Sequence, residues 1–181
     1  MDYIGKRISI KRKEDGETSI VVLSTTGQSD KLKKILIFVV FALWSLSGVV
    51  VLTQYFMLKD QQQRVAVIVW MGFWAYFEYK IFRAMMWRNS GMEKIKLRER
   101  KLFYKRDVSG RGKINVYEFD FIKDLRIIEP KEGFFEQMNN SYWVISGEKL
   151  AFDYYGKEVK FGIQLETEDA KALFKLIKGK I

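Results

Sequence analysis

Two apolar stretches close together in the chain set the terms for everything else. Residues 35–58 contain no Asp, Glu, Lys or Arg, and their most polar members are Ser45, Ser47, Thr53 and Gln54. A helix rises about 1.5 Å per residue, so a hydrocarbon layer about 30 Å thick takes up about 20 residues. The first stretch is therefore long enough to cross. The second, residues 65–87, is uncharged to Phe77 and then carries Glu78, Lys80 and Arg83 before Ala84 to Trp87. It reads as a helix that leaves the bilayer near 78–83 and continues among the headgroups, with Lys80 and Arg83 lifting their charges to the surface on long stems. Six polar residues, 59–64, join the two. A soluble domain of the size that remains has no partner for two helices apolar all round. A cleaved leader fits poorly as well, because the run starts well inside the chain and a second one follows at once.

The remainder is strongly charged. The chain of 181 residues has 32 Lys and Arg against 22 Asp and Glu, a net +10. Lys31, Lys33 and Lys34 precede the first stretch, with Lys6, Arg7, Lys11, Arg12 and Lys13 behind them. Lys80, Arg83, Arg88, Lys94, Lys96, Arg98, Arg100 and Lys101 lie in or after the second, and the connection holds only Lys59 and Arg64. The positive-inside rule then places both termini in the cytoplasm and the connection outside, in a cytoplasmic (inner) membrane. Tyr55, Tyr79 and Trp87 fall near the expected interfaces. The excess of basic residues is explained by topology and anionic lipid, and no nucleic-acid motif accompanies it.

Cys and His are absent. That removes disulfides, thiolate chemistry, the usual zinc and haem ligand sets and any His-based general base. No Gly-rich loop runs from a strand into a helix, so nucleotide binding of that kind is unsupported. Glu118, Asp120 and Asp124 are close in sequence, but the surrounding Lys and Arg point to ion-paired surface rather than a cation site. No catalytic residue, metal ligand or cofactor is expected, and the chain is not read as an enzyme. Glu78 reads as an interfacial acid offset by Lys80 or Arg83. A transport path would need several polar groups at mid-depth, and the hairpin lacks them.

Outside the hairpin the periodicity is that of strands. Residues 7–11 alternate with Ile8 and Ile10 on one face, Glu14 to Gly16 is a turn signal, and residues 19–23 form a second β-prone run. Two strands alone are marginal, so this hairpin should pack on the C-terminal part or on another subunit. Ser45, Ser47, Gly48, Gly72 and Ala75 would let the two apolar helices approach closely. From Met92, Ile95 and Leu97 alternate with Lys94, Lys96 and Arg98. Residues 101–108, 113–119, 121–128, 142–146, 148–154 and 157–165 follow as β-prone runs, with a loop over 129–140. A helix then starts at Thr167 as N-cap, with Ala170, Leu173, Phe174 and Ile177 on one face, and ends at Gly179. The expected organisation is an N-terminal β-hairpin and linker over 1–30, a transmembrane hairpin over 31–90 and a cytoplasmic domain over 91–181. The strands and closing helix of that domain suggest a seven-stranded β-barrel of the pleckstrin-homology (PH) type, giving an α+β membrane protein.

With these residues in view, the chain resembles the small two-span bacterial membrane proteins that carry a cytoplasmic PH-like domain. The likeness rests on the basic N-terminal β-run, the helical hairpin, the strand pair over 94–106, the run Asp124, Leu125, Arg126, Ile127, and the closing segment over 150–170. In layout it is similar to the photosystem I assembly factor family, in which a span hairpin also precedes a domain with a segment like 121–133. The resemblance implies a fold and a non-catalytic membrane role, and it names no partner. Two surfaces stand out as binding candidates. The first is basic and faces anionic lipid: Lys31, Lys33, Lys34, Lys80, Arg83, Arg88, Lys94, Lys96, Arg98 and Arg100. Several such charges, each worth about 1 kcal/mol near an anionic leaflet, would hold the domain down. The tight connection at 98–101 argues against a deep headgroup pocket. The second is Phe134, Phe135 and Met138 in the long loop, the residue types enriched at protein contacts. The leading expectation is an accessory subunit or assembly factor of a larger integral membrane protein complex. The alternative is a lipid-responsive module that needs no protein partner.

Overall fold

The computed structural model describes residues 2–14, 16–24, 31–129 and 145–181. Three short strands open the chain: β1 (Asp2–Ile4), β2 (Ile8–Arg12) and β3 (Thr18–Leu23). Two long helices follow, α1 (Lys31–Tyr55) and α2 (Gln61–Ser90). Then come β4 (Gly91–Arg98), β5 (Lys101–Val108), β6 (Ile114–Glu118), a 3-10 turn (Phe119–Phe121), β7 (Ile122–Ile127), β8 (Glu148–Tyr154), β9 (Lys157–Ile163) and α3 (Thr167–Lys178).

The expected closed barrel does not form. The strands make two open antiparallel sheets, one of six strands in the order β1 to β6 and one of three in the order β7 to β9. Chain direction supplies the reason. The 3-10 turn at Phe119–Phe121 ends the first ladder, and β7 starts a new one against β8 (Ile122 opposite Tyr154) instead of extending the old. The run expected over 142–146 lies outside the described residues except for its last two positions, as does most of the loop over 129–140. The β-run expected over 157–165 pairs only as far as Ile163, because Gln164 turns to a φ of +49°.

The first sheet joins the strands on either side of the helical hairpin. β3 pairs with β4, Ile20 opposite Ile95 and Val22 opposite Glu93, so the N-terminal strands and the strands after α2 form one surface. Period-two alternation turns Ile8, Ile10, Ile20, Val22, Ile95 and Leu97 to one side, where all are buried. Leu150, Phe152, Phe161 and Leu165 of the smaller sheet's side meet them across the core. α3 covers this core with Ala170, Leu173 and Ile177, each fully buried. The helix begins one residue earlier than the sequence suggests. Glu166 occupies the cap position without a side-chain cap bond, and Thr167 is the first helical residue. Glu168 and Asp169 in the first turn, with Lys175 and Lys178 in the last, complement the helix dipole.

The connection between β4 and β5 is as tight as expected. Glu99 and Arg100 both adopt positive φ, 52° and 56°, the backbone of a two-residue type I′ hairpin whose twist matches the strands. In the smaller sheet, the register shifts between Lys123 and Arg126, and Asp124 takes a φ of 48° within that bulge.

Candidate membrane and docking surfaces

α1 and α2 are both long and apolar enough to cross a membrane. Little of this surface is covered by the rest of the chain: of the apolar window in α1 only 11% is buried, and of that in α2 none. The core helix of a soluble protein is mostly buried, whereas Leu36, Phe38, Leu43, Val49, Ile68 and Phe73 here are all exposed.

A cross-bonded pair of tryptophans locks the two helices in register. Trp74 Nε1 donates to the carbonyl of Trp44 at 2.9 Å, and Trp44 Nε1 donates to the carbonyl of Trp74 at 3.4 Å. Gly48 makes room for this: a Cβ at that position would lie 2.2 Å from the Trp74 ring. Gly72, expected to play the same part, faces open space. Phe41 and Phe82 meet with ring centroids 5.9 Å apart, nearer the helix ends that join the sheets.

Glu78 differs from the interfacial, cation-paired acid that its neighbours suggest. Its Oε1 accepts a bond of 2.5 Å from Ser45 Oγ, between the helices, and its Oε2 is buried without a hydrogen-bond partner. Helix geometry explains why Lys80 and Arg83 do not reach it, because they project from the opposite side of α2. Nor do they extend toward the end of α2 that joins the sheets. Lys80 Nζ lies 5.4 Å from the Tyr76 ring centre and the Arg83 guanidinium 5.7 Å from that of Tyr79, each one turn back toward the helix N-terminus. Side chains of a helix lean that way, and α2 runs toward the sheets.

The far end of α2 is built into the sheets. Ala84, Trp87 and Arg88 are buried, and β4 begins at Gly91 with no linker. Gly91 permits this: its N–H bonds the Trp87 carbonyl, and a Cβ there would lie 2.5 Å from the indole. Arg88, expected on the basic lipid-facing surface, is 3% exposed and donates from Nη2 to Gln164 Oε1 at 2.6 Å. Arg7 reaches the same segment, donating to the Gln164 and Ile163 carbonyls (2.5 and 3.1 Å) and to the Leu23 carbonyl at 2.8 Å.

Glu93 holds that segment from the other side. On β4 it faces inward with Ile95 and Leu97, accepting from Ile163 N–H at 2.8 Å, Gly162 N–H at 3.2 Å and the Tyr104 hydroxyl at 2.5 Å. Arg106 Nε bonds Tyr104 Oη at 2.7 Å and its Nη2 bonds Glu148 Oε1 at 2.8 Å, so the chain of bonds continues into the smaller sheet. Burial pushes the Glu93 carboxyl above its usual range, against the opposing pull of those donors and the Arg106 charge. Burial, reinforced by the Glu93 charge, also raises the Tyr104 hydroxyl. The alternation of β4 already turns position 93 inward; its partners are 69 and 70 residues away and carry no local signal.

The remaining basic residues are not a bare cationic face. Lys94 and Lys105 flank the buried Asp107 at 2.6 and 3.3 Å, Lys96 lies 3.4 Å from Glu17, Arg98 pairs with Glu99 and Arg100 with Asp120. The Lys94 hydrogen bond leads in holding the Asp107 carboxyl below its usual range. Glu118, Asp120 and Asp124 pair with Lys101, Arg100 and Arg126, and the structure does not bring the three together into one site. Lys31, Lys33 and Lys34 occupy the first turn of α1. Phe134, Phe135 and Met138 lie outside the described residues. Comparison with protein-family models, curated protein sequences and solved structures finds no match to this chain.

Proposed function

We propose that the chain is a non-enzymatic integral membrane accessory subunit or assembly factor. In this reading α1 and α2 span the cytoplasmic membrane of a bacterium, both termini lie in the cytoplasm, and the sheets form a PH-like module that docks on a larger membrane protein complex. One observation carries it. Two helices of spanning length leave their apolar side chains uncovered, while the end of α2 is welded to the sheets through Trp87, Arg88 and Gly91. Uncovered apolar surface of that extent needs lipid or another protein around it. A rigid joint suits a part whose task is to hold a domain at a set position. The order of strands followed by one closing helix supports the PH-like assignment.

The lipid-responsive alternative draws on Lys31, Lys33 and Lys34 at the start of α1. It loses ground on the strands, where Lys94, Lys96, Arg98 and Arg100 each have a carboxylate beside them. Extraction in mild detergent followed by native size analysis tests the choice. Migration in an assembly much larger than 21.5 kDa is expected. Migration alone, with salt-sensitive binding of the full-length protein to anionic vesicles, would transfer the case to the alternative. Phe134→Ala with Phe135→Ala should weaken the assembly, whereas Lys96→Glu with Arg98→Glu should do more harm under the lipid reading.

A further inference from the structure

The helix register sets the level of the charges in α2 relative to α1. The contacts of Trp44 with Trp74, Ser45 with Glu78 and Phe41 with Phe82 set which residues lie side by side. Counting along α2 from Val65, the first residue after the polar connection, a core of about 30 Å takes up about 20 helical residues, so its cytoplasmic boundary falls near residue 85. Phe82, level with Phe41, then lies about 5 Å inside it at about 1.5 Å of rise per residue. By the same count Lys80 lies about 8 Å inside and Arg83 about 3 Å. Their side chains lean farther in, over Tyr76 and Tyr79. A cation at that depth, pointed away from the nearer headgroups, is costly against lipid.

Gly72, Tyr76, Tyr79, Lys80 and Arg83 recur at spacings of three and four, so they share one face of α2. That face looks away from α1. Tyr76 and Tyr79 are 55% and 56% exposed, and a Cβ on Gly72 would meet nothing within 4 Å. A small residue on an outward face lets a second helix come close. The acid that Lys80 needs is not in its own hairpin, because Glu78 is turned to Ser45 between the helices. A second copy of the chain has the same Glu78 in the same enclosed place.

We infer that this face of α2 packs against a transmembrane helix of a different protein, one that carries an Asp or Glu level with Lys80. The inference rests on the accessory-subunit reading and adds to the contact proposed for the cytoplasmic module a second place where the partner engages, within the bilayer.

The test uses the full-length chain in its own membranes. Lys80→Glu is expected to reduce the amount in the large assembly by at least tenfold, and Lys80→Arg to retain it. Tryptophan fluorescence of the purified variant checks that the hairpin still folds. A benzophenone amino acid in place of Tyr76 is expected to crosslink a foreign transmembrane segment. Exchanging the acid in that segment for Lys should restore assembly with Lys80→Glu. An assembly that forms equally well with Lys80→Glu overturns the inference and leaves the accessory reading standing. So does an adduct of twice the chain's mass, an adduct with lipid alone, or a crosslinked segment without a carboxylate. Migration of the unaltered protein as a single chain overturns both.

Discussion

Trp44 and Trp74 each donate an indole N–H to the other's backbone carbonyl, at 3.4 and 2.9 Å. In an apolar setting an indole without an acceptor is costly, so the exchange satisfies both rings at once. It also sets the register of α1 against α2. From that register follow the enclosure of Glu78 and the outward placement of Lys80 and Arg83.

The clasp depends on Gly48. Gly48→Leu drives a side chain into the space held by the Trp74 ring, 2.2 Å from a Cβ. We expect a loss of about 1–3 kcal/mol, the usual cost of overpacking. Thermal unfolding in detergent measures it; Gly72→Leu, on the open face, should not lower the midpoint in the isolated protein.

Leu173 is fully buried where α3 meets the core. Leu173→Ala should cost about 2–5 kcal/mol, the range for a large core side chain cut to a methyl. Denaturant titration followed by far-UV circular dichroism reports it. A change below about 0.5 kcal/mol would mean that α3 does not seal the core.

Glu93 should give the fold an unusual pH response. Its carboxyl is raised above 4.5 when folded, so the folded chain holds that proton more tightly than the unfolded chain. The contribution is fully present below 4.5 and is lost as pH rises from there through the folded value. Glu93→Gln has no such proton. Its stability relative to the wild type should therefore improve as pH rises above 4.5 and level off once the folded carboxyl has ionised, read as the difference in unfolding midpoints. A flat difference would contradict the expectation.

The joint at Arg88 is open to a direct distance measurement, since the chain has no native cysteine. Spin labels on Tyr79→Cys and Lys157→Cys should give a narrow distance distribution. Adding Arg88→Ala removes the donor to Gln164 Oε1 and should broaden it. If the width stays the same, the remaining contacts of Trp87 and Gly91 hold the helix by themselves.

Much of this molecule is written in local pattern. Residues 35–58 and 65–77 have no charge to satisfy and a length that suits a bilayer, so their helices need no tertiary information to be recognised. Alternation gives the strands, and Glu99 with Arg100 sits where a two-residue hairpin turn must. Alternation also places Glu93 inward, although what it would find there is not written nearby. Arg88 reads as one more basic residue after a span, because nothing adjacent shows that it will be covered.

The sequence alone determined the two apolar helices of spanning length, the strand periodicity and the amphipathic closing helix, because each depends on hydrophobic spacing over a few turns or strand residues. Tertiary structure alone decided that the sheets stay open, that β3 joins the chain's start to β4, that Glu78 turns to Ser45, and that Arg7, Arg88 and Glu93 converge on residues 162–164. These are pairings between groups tens of residues apart, and their partners become defined only when the chain has closed those loops and removed the groups from water.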